Sequence, residues 1–289
     1  GFDKEGIMYS ITAYGDFPIK LPAKKRDHRT GASTGWMLLS YKKPVIVSSF
    51  EDCANVETHR VDNGGKKVIE KICYDAQNIT DEDIQTYWSA RTSQAGEWLQ
   101  LDLGEKMEIR ALQINYADHK ATQYNKAMDM YHQYQIFMSD DAKSWTLVVD
   151  KSKNDRDVPH DYVELTKPIR ARYVKMVNIH CASGLFAISD FRVFGHGLSE
   201  KPSRVERFTV NRASSDSRNA MITWDTQKKA VGYTIYYGIA PDKLYNNIMV
   251  YDVNLYDFRG LDKGTTYYFA IEAFNSNGVG PLTEVLKVD

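Results

Sequence analysis

Three oxygen-bearing side chains, Asp81, Asp83 and Thr86, stand close together in the segment DEDIQTYW. Carboxylates and a hydroxyl are hard ligands of the kind that calcium takes, so a calcium-binding loop is one interpretation. The segment is not an EF-hand, because it lacks the glycine at the bend and the glutamate at the twelfth position. A capped or solvated turn is the second interpretation. A carboxylate pair for general acid–base catalysis is the third and weakest, because no histidine lies nearby in the sequence.

Two polar segments carry the side chains that sugar recognition needs, which are an aromatic face and planar polar groups. They are YADHKATQYNKAMDMYHQ and KNDRDVPHDY, and the first is long enough to favour a functional loop. For each residue taken singly, the alternative to sugar binding is an ordinary exposed position or local packing. Nothing pairs His119 and His160 at a spacing that favours a metal site. The carbohydrate-binding candidates are Tyr116, His119, Tyr124, Asn125, Arg156, His160 and Tyr162.

Short alternating runs separated by turn signals predict that strands position these residues. In EWLQLDLG, Leu99, Leu101 and Leu103 share one face, while Trp98 and Gln100 point to the other. The polar segment GHGLSEKPSR indicates a linker, and several strand segments follow it in fewer than 90 residues. The sequence therefore predicts an all-β chain with at least two domains.

Size and charge restrict the function. The chain has 289 residues and a formal net charge of −1, so it lacks the positive charge of a general nucleic-acid binder. No apolar run reaches the length of a bilayer span. Residue 1 is a glycine and no signal-peptide pattern follows, so we expect a processed chain or a fragment.

The three cysteines, Cys53, Cys73 and Cys181, have neither disulfide-framework nor zinc-site spacing. A Cys53–Cys73 bridge in an oxidising compartment and buried free thiols are both open. The segment between these two cysteines predicts a hairpin with an Asn63-Gly64 turn.

Five blocks in order resemble the discoidin, or coagulation-factor type C, domain: TDEDIQTYWSA, GEWLQLDLG, SDDAKSWTLV, RYVKMVNI and FAISDFRVFG. The resemblance covers residues 42–197 and implies an eight-stranded jelly roll whose ligands bind at loops on one end. Many bacterial members are family 32 carbohydrate-binding modules. It also implies that Trp88, Trp98 and Trp145 are core residues.

The same resemblance implies a structural calcium ion. Its ligands would be Asp81, Asp83, Thr86 and Asp190, with a main-chain oxygen of Ala187. Two departures from the family pattern concern this site: Glu82 replaces the usual glycine of the turn, and Asp190 replaces a longer glutamate. Such an ion would stabilise the folded state rather than take part in chemistry.

The segments AMITWD, GYTIYYG and GLDKGTTYYFAIEAFNSNGVGP resemble a fibronectin type III domain over residues 201–289. The resemblance implies that Trp224 is a core residue and that Tyr267 forms a tyrosine corner. Such domains generally act as spacers or packing partners.

Residues 1–41 resemble the end of a β-propeller glycoside hydrolase of family 43, through GIMYSITAYGDFP, LPAKKR and TGWMLLSYKKPV. The resemblance implies a Bacteroides-like parent enzyme that cleaves xylosides or arabinosides, with its catalytic carboxylates upstream. Asp3, Glu5 and Asp16 are interpreted as ordinary turn and strand carboxylates, so no catalytic residue is expected within the chain.

Two functions from different classes follow. The first is a non-catalytic accessory region of a secreted, periplasmic or cell-surface glycoside hydrolase that binds plant cell-wall polysaccharide beside the upstream catalytic domain. The second is a structural brace or spacer for that domain with no sugar binding. An autonomous enzyme is the least favoured alternative, and turnover of aryl xylosides or arabinosides would reveal it.

Overall fold

The computed structural model describes residues 36–61, 64–121, 130–182 and 184–289, and all of its extended elements are β-strands. The chain divides into two compact units. The first comprises Trp36–Glu200 with Ser276–Gly278, and the second contains Lys201–Asn275 and Val279–Asp289. The predicted all-β fold class is confirmed. The predicted propeller remnant spans residues 1–41, and its residues 1–35 lie outside the described part of the chain.

The first unit is a β-sandwich with one short 3₁₀ turn at Ala76–Ile79. Its main sheet runs in the order β1-β10-β6-β9-β7-β8, with β2 beside β6 and β5 beside β10. Among the described residues no helix could cross a membrane. The strands are β1 (Met37–Leu38), β2 (Val45–Val47), β3 (Ala54–Val61), β4 (Lys67–Ile72), β5 (Trp88–Ser89), β6 (Trp98–Tyr116), β7 (Gln133–Ser139), β8 (Thr146–Asp150), β9 (His160–His180) and β10 (Ala187–His196).

Two long strands, β6 and β9, contribute to both layers of this sandwich. Residues 98–102 of β6 pair with residues 173–177 of β9, and residues 107–115 pair with residues 160–171. The shift of register falls around Gly104, whose φ of 88° is a conformation that favours glycine. Each strand therefore leaves one layer and returns in the other, which brings both ends of β6 to the same end of the sandwich.

That end, called the loop end below, gathers several connections that are far apart in the sequence. Main-chain hydrogen bonds join Gly96 to Asn178 and Leu185 to His119, both at 2.9 Å. Gly184 has a φ of 76°, and a Cβ atom there would lie 2.2 Å from the His119 carbonyl oxygen. The loop end therefore closes only because residue 184 has no side chain.

The core between the layers is formed by the inward residues of the alternating strands. Leu99, Leu101 and Leu103 are fully buried, as the alternation predicted. Met37 pairs with Gly195 and Leu39 is buried in this core, so the sandwich begins before the predicted boundary at residue 42. The sequence pattern places the first strand in the segment 1–41, because its partner, β10, is more than 150 residues away in the sequence.

The three tryptophans predicted as core residues differ in their environment. Trp88 is completely buried against Phe186, with ring centroids 5.3 Å apart. Trp98 and Trp145 are only half-buried, and the Lys175 ammonium lies 4.4 Å and 5.7 Å from their ring centroids. The core prediction is wrong for these two. Trp98 alternates with Leu99, so it must lie on the outer face of the sheet.

The predicted hairpin between Cys53 and Cys73 is present as strands β3 and β4, which among the described residues pair with each other alone. The two cysteines form a disulfide at its base, and Cys181 is a buried cysteine. A two-stranded hairpin is marginally stable in water on its own. The disulfide therefore supplies the constraint that a third strand would otherwise provide.

The second unit is also a two-layer sandwich, with sheets ordered β11-β12-β15 and β14-β13-β16-β17, and with β18 beside β16. Trp224 is buried in its core, as predicted. The Tyr267 hydroxyl accepts a hydrogen bond from the Asp262 amide at 3.3 Å, which is the predicted tyrosine corner. The strands are β11 (Thr209–Arg212), β12 (Asn219–Thr223), β13 (Gly232–Gly238), β14 (Asn246–Tyr251), β15 (Leu255–Arg259), β16 (Tyr267–Asn275), β17 (Gly278–Val279) and β18 (Leu286–Val288).

Replacing Cys53 and Cys73 together by serine is expected to loosen the hairpin locally. The chain-entropy model gives about 3 kcal/mol for a loop of this length. Trypsin should then cleave after Lys67 and Lys71 faster than in the unaltered chain, while the sandwich core resists. Mass spectrometry of the fragments checks this. Equal cleavage rates in the two proteins would show that the hairpin is ordered without its disulfide.

Candidate functional site

The two segments predicted to bind sugar meet at the loop end. The Asn154 amide nitrogen donates to the His132 carbonyl oxygen at 2.9 Å, and the Gln133 amide nitrogen donates to the Asn154 carbonyl oxygen at 2.9 Å. Arg156 is exposed beside them. Tyr124 and Asn125 lie outside the described residues. The site assignment as a whole stays a prediction, but the fold brings its two halves together.

A depression of about 390 Å³ opens next to this junction. It brings together Tyr116 and His160, both predicted to bind sugar, and Asp190, which was predicted to bind calcium. Exposed polar side chains, Gln85 and Asp118, stand at its rim. Its lining consists of Ile84, Gln85, Tyr87, Asn115, Tyr116, Ala117, Asp118, His160, Ser189 and Asp190.

A chain of hydrogen bonds runs from the buried carboxylate of Asp190 to the exposed ring of His160. The Asn115 Nδ2 group donates to Asp190 Oδ2 at 2.9 Å, so Asn115 Oδ1 must face the other way. That oxygen lies 3.1 Å from His160 Nδ1. Because an amide oxygen only accepts, the His160 Nδ1–H group donates this hydrogen bond.

Tyr116 forms a wall of the depression rather than an open platform. Its ring stacks on His132 with centroids 3.6 Å apart and planes 18° apart. Its hydroxyl is buried, and burial raises the pKa of Tyr116 well above its usual value. Burial also lowers the pKa of His132 to about 4, so this ring is neutral at physiological pH. The pair is a fixed, uncharged aromatic surface beneath the loop end.

His119 is buried, with 7% of its surface exposed, and packs against residues next to the depression. Its Nδ1 atom lies 2.8 Å from the Tyr87 hydroxyl, and its ring packs 4.3 Å from that of Tyr74. Burial lowers the pKa of His119. The ring therefore fixes Tyr87, which lines the depression, and does not itself face solvent.

Tyr162 lies on strand β9 rather than on a loop. The ring is 46% exposed and its centroid is 6.5 Å from that of Phe194. It occupies the outer face of the strand two residues after His160. Tyr162 is thus accessible to a ligand, but it does not line the depression.

The acidic segment forms a turn closed by its own side chains. Asp81 accepts from the Asp83 amide at 2.9 Å and from the Thr86 hydroxyl at 2.7 Å. Asp83 accepts from the Gln85 amide at 2.9 Å. Glu82 has a φ of 63°, which explains why a glycine is usual at this position in the family that the sequence resembles.

A cation of the protein itself stands between this turn and strand β10. The Arg192 guanidinium lies 2.9 Å from the Glu82 carboxylate and 3.7 Å from Asp190 Oδ1. Burial raises the pKa of Glu82, and the ion pair with Arg192 reduces this rise without cancelling it. Arg192 therefore ties the acidic turn to the last strand of the sandwich.

As placed, these residues do not fit a calcium ion. A guanidinium beside Asp190 would repel a dication at the same carboxylate. The Ala187 carbonyl oxygen already accepts a hydrogen bond from the Ala117 amide at 3.0 Å. Among the residues that the structure describes, no group of three or more His, Cys, Asp or Glu side chains is arranged to hold a metal. The calcium site stays an untested prediction. In this structure the positive charge next to Asp190 is that of Arg192.

Sequence reasoning missed Asn115, Tyr87 and Gln85 as residues of this depression. In LQINY, Gln113 and Asn115 alternate with apolar residues, so the alternation places Asn115 on the polar face of the strand. Its importance comes from pairing with His160 on one side and with Asp190 on the other. The local sequence therefore gave no signal for its burial, which depends on the two neighbouring strands.

Comparison with known proteins supports both domains. The F5/8 type C domain family matches residues 62–189, and the fibronectin type III domain family matches residues 201–289. Among proteins with curated function, none matches the chain.

Solved structures resemble parts of the chain at low TM-scores, which carry no argument about fold or function. The family 32 CBM from C. perfringens NanJ in complex with galactose has 18% identity and a TM-score of 0.39, covering 55% of this chain and 98% of that one. Chitosan-binding module 2 from a chitosanase/glucanase of Paenibacillus sp. IK-5, in complex with chitotriose, has 21% identity and a TM-score of 0.38, covering 54% and 99%. A protein titled glycoside hydrolase has 17% identity and a TM-score of 0.42, covering 67% of this chain and 38% of that one.

Replacing Arg192 by alanine is expected to lower the free energy of unfolding by about 1–3 kcal/mol, because it leaves Glu82 and Asp190 without their cation. Denaturant unfolding checks this. The control is Arg170→Ala, which removes an exposed arginine 3.8 Å from Glu108 and should change stability by less than about 1 kcal/mol.

A chelator is expected to leave the melting temperature of the unaltered chain unchanged, because Arg192 already balances the charge at Asp190. Differential scanning calorimetry with and without EDTA measures this. A clear fall in the melting temperature, reversed by added calcium, would show that the acidic turn binds a calcium ion.

Proposed function

We propose, from a chain that carries an F5/8 type C domain followed by a fibronectin type III domain, that this protein is a non-catalytic, carbohydrate-binding accessory region of a secreted glycoside hydrolase. Its ligand would be plant cell-wall polysaccharide. The catalytic domain, of the family 43 type, would lie upstream in the same protein. The type C domain would hold the polymer, and the fibronectin domain would act as a spacer.

The observation that carries this proposal is the orientation of His160. The Asp190–Asn115 pair holds the ring through Nδ1 at a position where His160 lines the depression. Asp118 and Gln85 add an exposed carboxylate and an exposed amide at the rim. An imidazole, a carboxylate and an amide are polar groups that can recognise neighbouring hydroxyls of a sugar ring.

The disulfide supports a location outside the reducing cytoplasm. Disulfides persist in secreted, periplasmic and cell-surface proteins and are rare in the cytosol. The Cys53–Cys73 bridge closes a hairpin at the surface of the type C domain. We therefore propose a secreted, periplasmic or cell-surface location.

The hairpin also favours the second candidate function, a brace for the catalytic domain. In the part of the chain that the structure describes, strands β3 and β4 pair with each other alone, and Val61 and Ile69 are 63% and 67% exposed. Apolar side chains on a stapled hairpin are suited to packing against another domain. This role and sugar binding are compatible, because the hairpin residues do not line the depression.

The unaltered chain is expected to be retarded in affinity gels that contain arabinoxylan or a galactan. His160→Ala should weaken this retention by about tenfold, since it removes a fixed hydrogen-bonding ring. The control is Tyr245→Ala in the fibronectin domain, which removes an aromatic ring that is 69% exposed and should leave retention unchanged. Retention on neither polymer would favour the bracing role.

A further inference from the structure

A second surface of the type C domain presents an aromatic ring to solvent. Phe50 is 53% exposed and Ile46 is 56% exposed, and both line an open groove of about 500 Å³ along strand β2. Asp75 and Arg91 are on the same groove. None of these four residues lines the depression around His160. An exposed aromatic ring with polar side chains beside it is the combination of groups that sugar recognition uses.

The loop that carries Phe50 is held rigidly from the core. The buried indole of Trp88 donates through Nε1 to the Ser49 carbonyl oxygen at 3.0 Å. The Glu51 amide donates to the Ser89 carbonyl oxygen at 2.8 Å. The ring of Phe50 is therefore exposed on a backbone that is fixed on both sides, so a ligand would not have to order this loop.

A carboxylate fastens the same loop to its neighbour. Glu97 accepts hydrogen bonds from the hydroxyls of Ser48, Ser49 and Thr92, and the bonds from Ser49 and Thr92 measure 2.9 Å and 2.7 Å. Arg91 follows the core strand β5 and precedes Thr92. Phe50 and Arg91 thus extend from two loops that are joined to each other beneath the groove.

The Arg91 guanidinium is placed beside the ring. Its Nε atom donates to the Phe50 carbonyl oxygen at 3.0 Å, and its carbon atom lies 5.9 Å from the ring centroid. Its Nη2 atom lies 3.4 Å from the exposed Asp52 carboxylate. The Asp52 carboxylate thus partly neutralises the positive charge of Arg91, and Asp75 adds a second carboxylate to the groove. This balance does not favour an anionic ligand.

We infer that the groove around Phe50 and Arg91 is a second sugar-binding surface, which takes a neutral sugar ring of the polymer; this inference rests on the proposed function. The aromatic face would accept the C–H patch of the ring, and the guanidinium and the Asp75 carboxylate would bond its hydroxyls. One exposed ring with one isoleucine is far less than the roughly 800 Å² that each partner buries in a standard protein interface. The groove therefore suits a small ligand unit better than a protein.

The test uses the full chain in affinity gels that contain arabinoxylan or a galactan. Phe50→Ala should weaken retention by about tenfold, as expected for an aromatic anchor. Phe50→Tyr keeps the ring and should retain binding, and Arg91→Gln should weaken it several-fold. Tyr245→Ala is the matched control for loss of an exposed ring. Because Phe50 is exposed, Phe50→Ala should leave the melting temperature unchanged.

The outcomes separate this inference from the proposed function. If His160→Ala loses retention while Phe50→Ala matches the unaltered chain, the second surface is overturned and the proposed function stands. If the unaltered chain binds neither polymer, both are overturned. Sedimentation velocity gives an independent check. A change in oligomeric state on Phe50→Ala would show that the groove joins copies of the chain, which would also overturn the inference.

Discussion

The burial of Asp190 is the constraint on which the candidate site depends. Its carboxylate is completely inaccessible to water, and removing an ionised group from water costs several kcal/mol unless it is paired. Two partners on the same sheet compensate for this cost: Asn115 donates a hydrogen bond to one oxygen, and Arg192 lies near the other. Both partners then connect outward, Asn115 to His160 and Arg192 to Glu82. One buried charge therefore fixes the position of an exposed histidine and that of the acidic turn.

The fold makes this arrangement because two strands serve both layers. β6 places Asn115 between β9, which carries His160, and β10, which carries Asp190. Asn115 and Asp190 are separated by 75 positions in the sequence, but they lie on adjacent strands. A covered carboxylate that is occupied by hydrogen bonds cannot act as a general base toward a substrate. Asp190 therefore has a structural role in this arrangement, which is to hold Asn115 and Arg192 in place.

Much of the fold could be predicted from the sequence, since local patterns determine it. The alternation in EWLQLDLG predicted three buried leucines, and the resemblance to a fibronectin type III domain implied the tyrosine corner at Tyr267. The disulfide remained open because two cysteines flanking a hairpin are compatible with both oxidation states. For Trp98, family position indicated the core while alternation indicated the outer face, and alternation was correct. Local physical pattern was thus more reliable than a residue's place in a family motif.

The site was less predictable, because burial at the loop end depends on contacts between distant segments. Tyr116 and His119 are three residues apart in a polar segment, and the sequence cannot show that His132 and Tyr74 cover them. Glu82 illustrates the same limit for the acidic turn. A carboxylate at a left-handed position was a departure from the family pattern, and only the approach of Arg192 from β10 explains it. The ion pair joins two residues that are 110 positions apart in the sequence. The turn therefore depends on a contact with the last strand, where a glycine would depend only on its own backbone freedom.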